Sequence, residues 1–159
     1  AGRLFDAISS LLVIKDSITF EGEAAIELEM AADAKEEKEI LYPFCIIHHD
    51  PIIIDVKPLV KSIGEDLVKS VKIAVISYRF HRTLAMIIVE VSKILKNQSG
   101  VRDVVLSGGV FQNKLLLNFA ETYLKKEGFQ VWFNEQFPAN DGGISLGQAV
   151  IAWERLKGR

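Results

Sequence analysis

The chain has 159 residues, of which 49% are hydrophobic and 25% are charged. This length and composition predict one globular domain with a hydrophobic core, and they exclude a disordered chain. A formal net charge of −2 provides no overall basic surface for a phosphate backbone, so we expect no nucleic-acid partner.

Other features of the sequence indicate the cellular compartment of the protein. No run of apolar residues is long enough for a membrane-spanning helix, so we expect no membrane partner. Cys45 is the only cysteine, and it therefore forms no internal disulfide. Together with the lack of a recognisable signal peptide, this predicts a cytoplasmic protein.

The N-terminal part predicts two helices. Apolar residues at positions 4, 5, 8, 11 and 12 share one helical face. After a polar loop at residues 15–19, small residues between positions 24 and 32 predict a short alanine-rich helix. A helix that starts so close to Ala1 is an unusual beginning, so we expect the chain to be part of a longer polypeptide.

A pair of strands is predicted next. Residues 40–47 and 52–56 flank a turn at His48-His49-Asp50-Pro51, and a charged turn at residues 34–39 precedes them. Neighbouring residues of an extended chain point to opposite sides, so His48 and His49 are not expected to share a metal ion. We expect Cys45, in the first strand, to be a small buried residue rather than a nucleophile.

Two further helices follow in the sequence. The first begins near Pro58 and ends near Lys69, and the second, the longest of the chain, covers about residues 70–96. Within the long helix, His81 follows the apolar Phe80. Such a histidine is more often a packing or hydrogen-bonding residue than a catalyst. We predict that role for His81, with a functional role as the alternative.

The strongest indication of a ligand site begins at residue 104. Apolar residues 104–106 are typical of a buried parallel strand, and the first glycine turn, Ser107-Gly108-Gly109, follows them. A helix over about residues 111–126 comes next, which places the glycines at a helix N-terminus, where free N–H groups favour phosphate. Residues 129, 131 and 133 then alternate as a second strand does.

A second glycine turn, Asn140-Asp141-Gly142-Gly143, precedes the last predicted helix. That helix has one apolar face, formed by Leu146, Ala149, Val150, Trp153 and Leu156. Both turns follow strands of one parallel sheet, so we expect them at the same end of it, where α/β proteins bind ligands. The alternatives are an ordinary α/β connection for each turn and a simple helix N-cap for Asp141.

Five segments carry a resemblance to a known family. The two most specific are SGGVFQNKLLL (residues 107–117) and NDGGISLGQAV (residues 140–150), and the others are GRLFDAISSLL, FEGEAAIELE and RFHRTLA. They resemble the C-terminal part of the HypF family, the carbamoyltransferases of hydrogenase maturation. More broadly, the chain resembles TsaD-type domains of tRNA threonylcarbamoyl transfer, which are similar to the actin, hexokinase and Hsp70 folds.

The resemblance implies an α/β fold: a three-layer, ribonuclease H-like lobe of the actin-like ATPase type, with a partly parallel sheet flanked by helices. Residues 1–159 would be the C-terminal lobe of a longer multidomain chain. The implied reaction uses carbamoyl phosphate and ATP, passes through carbamoyl adenylate and carbamoylates the C-terminal cysteine of HypE, which leads to the cyanide ligands of nickel–iron hydrogenase. The implied partners are HypE and the upstream domains of the same protein.

The resemblance also implies roles for individual residues. The implied nucleotide-binding residues are Ser107, Gly108, Gly109, Asn113, Gly142, Asp6, Gly22 and Glu27. Of these, Asp6 and Glu27 would bind the ribose, although the choice among the glutamates of residues 21–29 stays open. Asp141 would bind a divalent metal, either zinc or iron.

The implied metal site is incomplete in this chain. In the family the other ligands are two histidines in an H-x-x-x-H pair, whereas the only histidines here are His48, His49 and His81. The missing ligands are therefore expected outside residues 1–159, and the isolated chain is expected to be inactive. Two alternatives stay open: a TsaD-like component of tRNA threonylcarbamoyl transfer, and a non-catalytic, nucleotide-binding interaction module.

Overall fold

The computed structural model describes residues 1–32 and 40–158. These residues form a mixed α/β fold of six α-helices and two pairs of strands. In chain order the elements are α1 (Gly2–Leu11), α2 (Glu23–Met30), β1 (Cys45–Ile47), β2 (Ile53–Asp55), α3 (Lys57–Val68), α4 (Ile73–Ser99), β3 (Asp103–Leu106), α5 (Lys114–Lys126), β4 (Gln130–Phe133) and α6 (Ile144–Lys157). The charged turn predicted at residues 34–39 lies outside the described residues.

The core is organised around α4, which is the longest helix, as predicted. It packs against α5, α2 and α3, and its Phe80 ring meets the Phe5 ring of α1 edge-on at 5.1 Å. Apolar residues spaced three and four apart form the buried faces of helices α1 to α5. The largest fully buried apolar side chains are Phe5, Ile8, Leu12, Leu28, Leu59, Ile63, Ile76, Phe80, Val89, Leu116 and Leu124.

Strands β1 and β2 form the predicted hairpin. They pair antiparallel, with Ile46 opposite Ile54 and Ile47 opposite Ile53. The prediction that Cys45 is buried is wrong, because its side chain is exposed. Cys45 and Ile47 point to the same side of the strand, and the described chain covers that side only in part, since Ile47 is 47% exposed.

Strands β3 and β4 pair in parallel, as predicted, with Val105 opposite Trp132 and Leu106 opposite Phe133. One face of this pair packs into the core through Leu106 and Phe133. On the other face, Val105 is 67% exposed and Trp132 is 58% exposed. The expectation of strands buried on both faces is therefore wrong for the described residues, and the three-layer arrangement stays a prediction.

Helix α6 forms where it was predicted, but none of its residues is buried. Within the described residues its shared apolar face is largely open to solvent, and Trp153 is 59% exposed. An open groove of about 860 Å³ lies between α6 and the β4 and α5 elements, lined by Phe133, Leu146 and Val150 among others. None of the described helices combines the length and apolar character that crossing a bilayer requires.

The N-terminus of α2 carries a strong charge interaction. Glu23 is largely buried and lies 2.8 Å from Lys15 Nζ, while its Oε2 accepts from the Thr19 N–H at 2.5 Å and the Thr19 hydroxyl at 3.1 Å. The hydrogen bond from Lys15, followed by that from the Thr19 backbone, lowers the pKa of Glu23 to about 2. The ionised form of Glu23 therefore stabilises the start of α2.

We predict that Glu23→Gln lowers the free energy of unfolding at neutral pH and reduces its dependence on acid pH. With a folded-state pKa of about 2, Glu23 contributes its full stabilisation above the unfolded-state pKa of about 4.3 and loses it as the pH falls towards the folded value. Urea unfolding followed by circular dichroism over this range measures the effect. Glu21→Gln, at an exposed neighbour, is the control, and equal pH profiles for the two variants would refute the assignment.

Candidate functional site

The two glycine turns lie side by side at one end of the β3–β4 pair, as predicted. The Gly108 N–H donates to the carbonyl oxygen of Ala139, the residue before the second turn, at 2.8 Å. Ser107, Gly108 and Gly109 are all exposed, and so are Asp141 and Gly142. The two turns therefore form one continuous, solvent-accessible surface.

Backbone geometry explains most of the glycines in these turns. Gly108 has a φ of +103°, a backbone conformation that residues with a Cβ rarely adopt. A Cβ on Gly143 would lie 2.7 Å from the Pro138 carbonyl oxygen, and a Cβ on Gly142 would lie 3.1 Å from Asn140 Oδ1. Gly109 differs, because its φ is ordinary and its Cβ would only touch Asn140 Cβ at 3.9 Å. Neither conformation nor packing requires a glycine at position 109.

Helix α5 starts later than predicted, and its N-terminus is partly occupied. A short 3-10 turn, Gly109–Gln112, lies between Gly108 and α5, and Asn113 is the N-cap of α5. Asn113 Oδ1 accepts from the Leu116 N–H at 2.8 Å, and Glu29 Oε1 accepts from the Leu115 N–H at 3.0 Å. The prediction that the glycines sit at the N-terminus of this helix is wrong, because Asn113, a favoured N-cap residue, takes that place. The first N–H groups of α5 are also already bound by the Asn113 side chain and by the Glu29 carboxylate.

Asn113 also contacts the core histidine of α4. Its Nδ2 donates to His81 Nε2 at 2.9 Å, and His81 Nδ1–H donates to the Ser77 carbonyl oxygen at 2.8 Å. Because the Asn113 amide nitrogen can only donate, the network assigns the ring proton to Nδ1. Burial lowers the pKa of His81 to about 4, so the ring is neutral at pH 7. The predicted hydrogen-bonding role of His81 in the core is confirmed.

Helices α2, α4 and α5 meet at a polar junction formed by Glu29, Ser77, His81 and Asn113. The Ser77 hydroxyl donates to the Leu28 carbonyl oxygen at the end of α2, next to Glu29. Ser77, His81 and Asn113 are all buried. Buried polar groups of this kind are tolerated when their hydrogen bonds are made, and they then hold the elements that carry them in one arrangement.

The three predicted nucleoside-binding residues near the N-terminus lie on α1 and α2. Asp6 is on the exposed side of α1. Gly22 is the N-cap of α2 with a φ of +83°, so its backbone conformation by itself accounts for a glycine. Glu27 is half-buried. Among the described residues no hydrogen bond joins these three to the glycine turns, and their roles stay predictions.

Asp141 is not a helix cap. Asn140 caps the second turn, since its Oδ1 accepts from the Gly142 N–H at 3.1 Å, and α6 begins without a side-chain cap. The alternative of an N-cap at Asp141 is therefore wrong. The Asp141 carboxylate is exposed and makes no hydrogen bond or ion pair within residues 1–32 and 40–158.

Potential metal ligands are not clustered in the described part of the chain. Residues 1–32 and 40–158 contain no group of three or more His, Cys, Asp or Glu side chains that could hold a metal ion. His48 and His49 are exposed in the β1–β2 turn. The residues present thus do not form a metal site by themselves, and Asp141 could supply only one ligand.

No role is assigned from the sequence to two residues that the structure places at the site, Asn140 and Glu29. Asn140 carries a recognisable signal, because an Asn two residues before a Gly favours a side chain to backbone turn. Glu29 carries no local signal, because its partner Leu115 is 86 residues further along the chain. Only the fold brings α2 to the start of α5.

Comparison with protein families and known proteins agrees with the resemblance. The family described as carbamoyltransferase, Kae1-like domain, second subdomain, matches residues 1–148. The carbamoyltransferase HypF of Synechocystis sp. is 39% identical over 94% of this chain and 19% of its own length. The probable carbamoyltransferase HypF of Methanocaldococcus jannaschii is 31% identical over 94% of this chain and 19% of its own length.

Two solved structures are also similar. A full-length HypF crystal structure in a phosphate- and nucleotide-bound form is 40% identical with a TM-score of 0.91, over 98% of this chain and 20% of that one. The T. kodakarensis HypF structure is 28% identical with a TM-score of 0.82, over 99% of this chain and 20% of that one. The chain spans about one fifth of the length of these proteins. It belongs to the HypF carbamoyltransferase family, in which it corresponds to the second subdomain of the Kae1-like domain.

Proposed function

We propose that this chain is the C-terminal, actin-like lobe of a longer HypF-type carbamoyltransferase, and that its two glycine turns bind the nucleotide of ATP and carbamoyl adenylate. The family match and the relatives named carbamoyltransferase HypF support the activity. The similar full-length HypF, solved in a phosphate- and nucleotide-bound form, supports a nucleotide ligand. These relatives also favour this assignment over a tRNA-modifying protein.

The observation that carries the nucleotide assignment is Gly109. Its neighbours leave ordinary van der Waals space for a Cβ, and its φ would suit other residues, yet the position is a glycine on an exposed turn. A ligand that approaches the backbone closely accounts for such a glycine. The adjoining Gly142, in a turn that contacts the first one through Ala139 and Gly108, extends the same surface.

The chemistry proposed for the complete protein defines what this lobe has to do. The HypE cysteine thiolate attacks the carbamoyl carbon of carbamoyl adenylate, a C–S bond forms, the bond to the phosphate oxygen breaks and AMP leaves. Such a transfer requires an oriented adenylate and N–H donors for the phosphate oxygens. We assign the orientation of the adenylate to the backbone of Ser107, Gly108, Gly109 and Gly142, with Asn113 at the end of the first turn. The Gly108 and Gly142 N–H groups already donate to the Ala139 carbonyl oxygen and to Asn140 Oδ1, so we assign the N–H donation to the phosphate oxygens to Ser107 and Gly109. Asp6, Gly22 and Glu27 remain the proposed contacts to the nucleoside.

We also propose Asp141 as one ligand of a divalent metal, zinc or iron, with histidines from outside this chain as the others. Its carboxylate is exposed beside the glycines and has no partner among the described residues, which leaves it available. Carboxylate oxygen and imidazole nitrogen are compatible ligands for either metal. In this proposal the upstream part of the polypeptide completes the site, and the isolated 159 residues are inactive.

Gly109→Val is predicted to weaken ATP binding to the full-length protein by about tenfold or more, because a branched side chain occupies the space through which the nucleotide meets the backbone. Thermal stability should change little, since the Cβ itself meets only Asn140 Cβ at 3.9 Å. Isothermal titration gives the affinity, and Gly64→Val, at a helical glycine with nothing within 4 Å, is the control. ATP affinity equal to that of wild type in a folded Gly109→Val protein would refute the proposed nucleotide site.

Asp141→Ala is predicted to reduce the bound zinc or iron of the full-length protein and to abolish carbamoyl transfer to HypE, while leaving its unfolding temperature nearly unchanged. The carboxylate stabilises nothing within the described residues, so its loss should affect only the metal. Elemental analysis of the purified protein measures the metal content. Glu135→Ala, which removes another exposed carboxylate of the same loop, is the control and should retain the metal. Full metal occupancy in the Asp141→Ala protein would exclude Asp141 as a ligand.

A further inference from the structure

We infer that His81 is a positioning residue for the first glycine turn, because its Nε2 holds Asn113, the residue at which the turn ends and α5 begins. The inference rests on the proposed function, since it supposes that this turn binds the nucleotide. His81 itself touches no reactant in this account. It acts only through Asn113.

The backbone between Gly108 and Asn113 is a short segment held at both ends. At its start, the Gly108 N–H donates to the Ala139 carbonyl oxygen at 2.8 Å. Within it, the Phe111 N–H donates to the Gly108 carbonyl oxygen at 3.0 Å and the Asn113 N–H to the Val110 carbonyl oxygen at 3.3 Å. The position of the exposed glycines therefore depends on where Ala139 and Asn113 are fixed.

Asn113 is fixed by both atoms of its side-chain amide. Oδ1 caps α5 by accepting from the Leu116 N–H at 2.8 Å, and Nδ2 donates to His81 Nε2 at 2.9 Å. The first bond joins Asn113 only to its own helix. The second bond joins it to α4, the central helix of the core.

The His81 ring is itself well fixed. Its Nδ1–H donates to the Ser77 carbonyl oxygen one helical turn earlier, and the Phe5 and Phe80 rings pack against it at centroid distances of 5.4 Å and 5.7 Å. The ring is fully buried, so water cannot replace it as the acceptor for Asn113. A rigid acceptor on α4 thus sets the direction of the Asn113 amide.

An apolar residue at position 81 would fill the core but leave one buried amide N–H of Asn113 without an acceptor. The Oδ1 cap would persist, so α5 would still form, while the end of the turn would be free to shift. A glutamine could accept the same hydrogen bond through its side-chain oxygen. If His81 only packed in the core, the apolar replacements and the glutamine replacement would have the same effect on the turn.

The test compares His81→Leu, His81→Met and His81→Gln in the full-length protein. Thr83→Val is the matched control: Thr83 is equally buried on α4, and its hydroxyl accepts from the Tyr42 N–H at 2.9 Å, which is not part of the glycine turn. The measurements are ATP affinity by isothermal titration, unfolding temperature, and deuterium exchange of the backbone amides of residues 108–113 without ATP.

We expect His81→Leu and His81→Met to weaken ATP binding by about tenfold or more and to accelerate exchange in residues 108–113. His81→Gln should recover most of the affinity. Thr83→Val should lower the unfolding temperature but leave both the affinity and the exchange of the turn unchanged.

Wild-type ATP affinity in a folded His81→Leu or His81→Met protein would overturn the inference while leaving the proposed function intact. An equal loss of affinity in Thr83→Val would also overturn it, since general destabilisation would then explain the effect. If the wild-type protein does not bind ATP, the proposed function fails. Unchanged deuterium exchange of residues 108–113 in the apolar variants would show, independently of ATP binding, that His81 does not hold the turn.

Discussion

The buried hydrogen bond between His81 and Asn113 connects the helical core to the surface that carries the glycine turns. On one side, His81 is held by Ser77 and by aromatic packing within the core. On the other, Asn113 determines where α5 begins and where the first turn ends. Because both partners are buried and every polar atom of the pair has a partner, small shifts are costly. The geometry of the exposed turn thus follows from the packing of α4.

The polar junction also limits where an anion can bind at this surface. The first N–H groups of α5 are bound by the Asn113 and Glu29 side chains, so the N-terminus of this helix is not an open phosphate site. The exposed backbone of the preceding glycine turn is the better candidate for phosphate oxygens. A glycine at position 109, where the fold itself would accept a side chain, is consistent with a ligand at that point.

Much of the fold was predictable because its helices and strands have clear periodicities. Alternating residues identified β4, and the meeting of the two glycine turns followed from the ordering of a parallel sheet. Periodicity shows which residues share a face, but not whether another element covers that face. For this reason the burial of Cys45 and of both faces of β3 was predicted wrongly. The Glu29–Leu115 contact joins distant parts of the chain, and no local pattern could indicate it.

The central claim is that the two glycine turns form one nucleotide-binding surface. A crystal structure of the full-length protein with ATP bound tests it most directly. We predict phosphate oxygens within hydrogen-bonding distance, about 2.7–3.2 Å, of backbone N–H groups in the first turn, with the second turn against the same nucleotide. A nucleotide bound elsewhere, with Gly109 and Gly142 both left in solvent, would contradict the account.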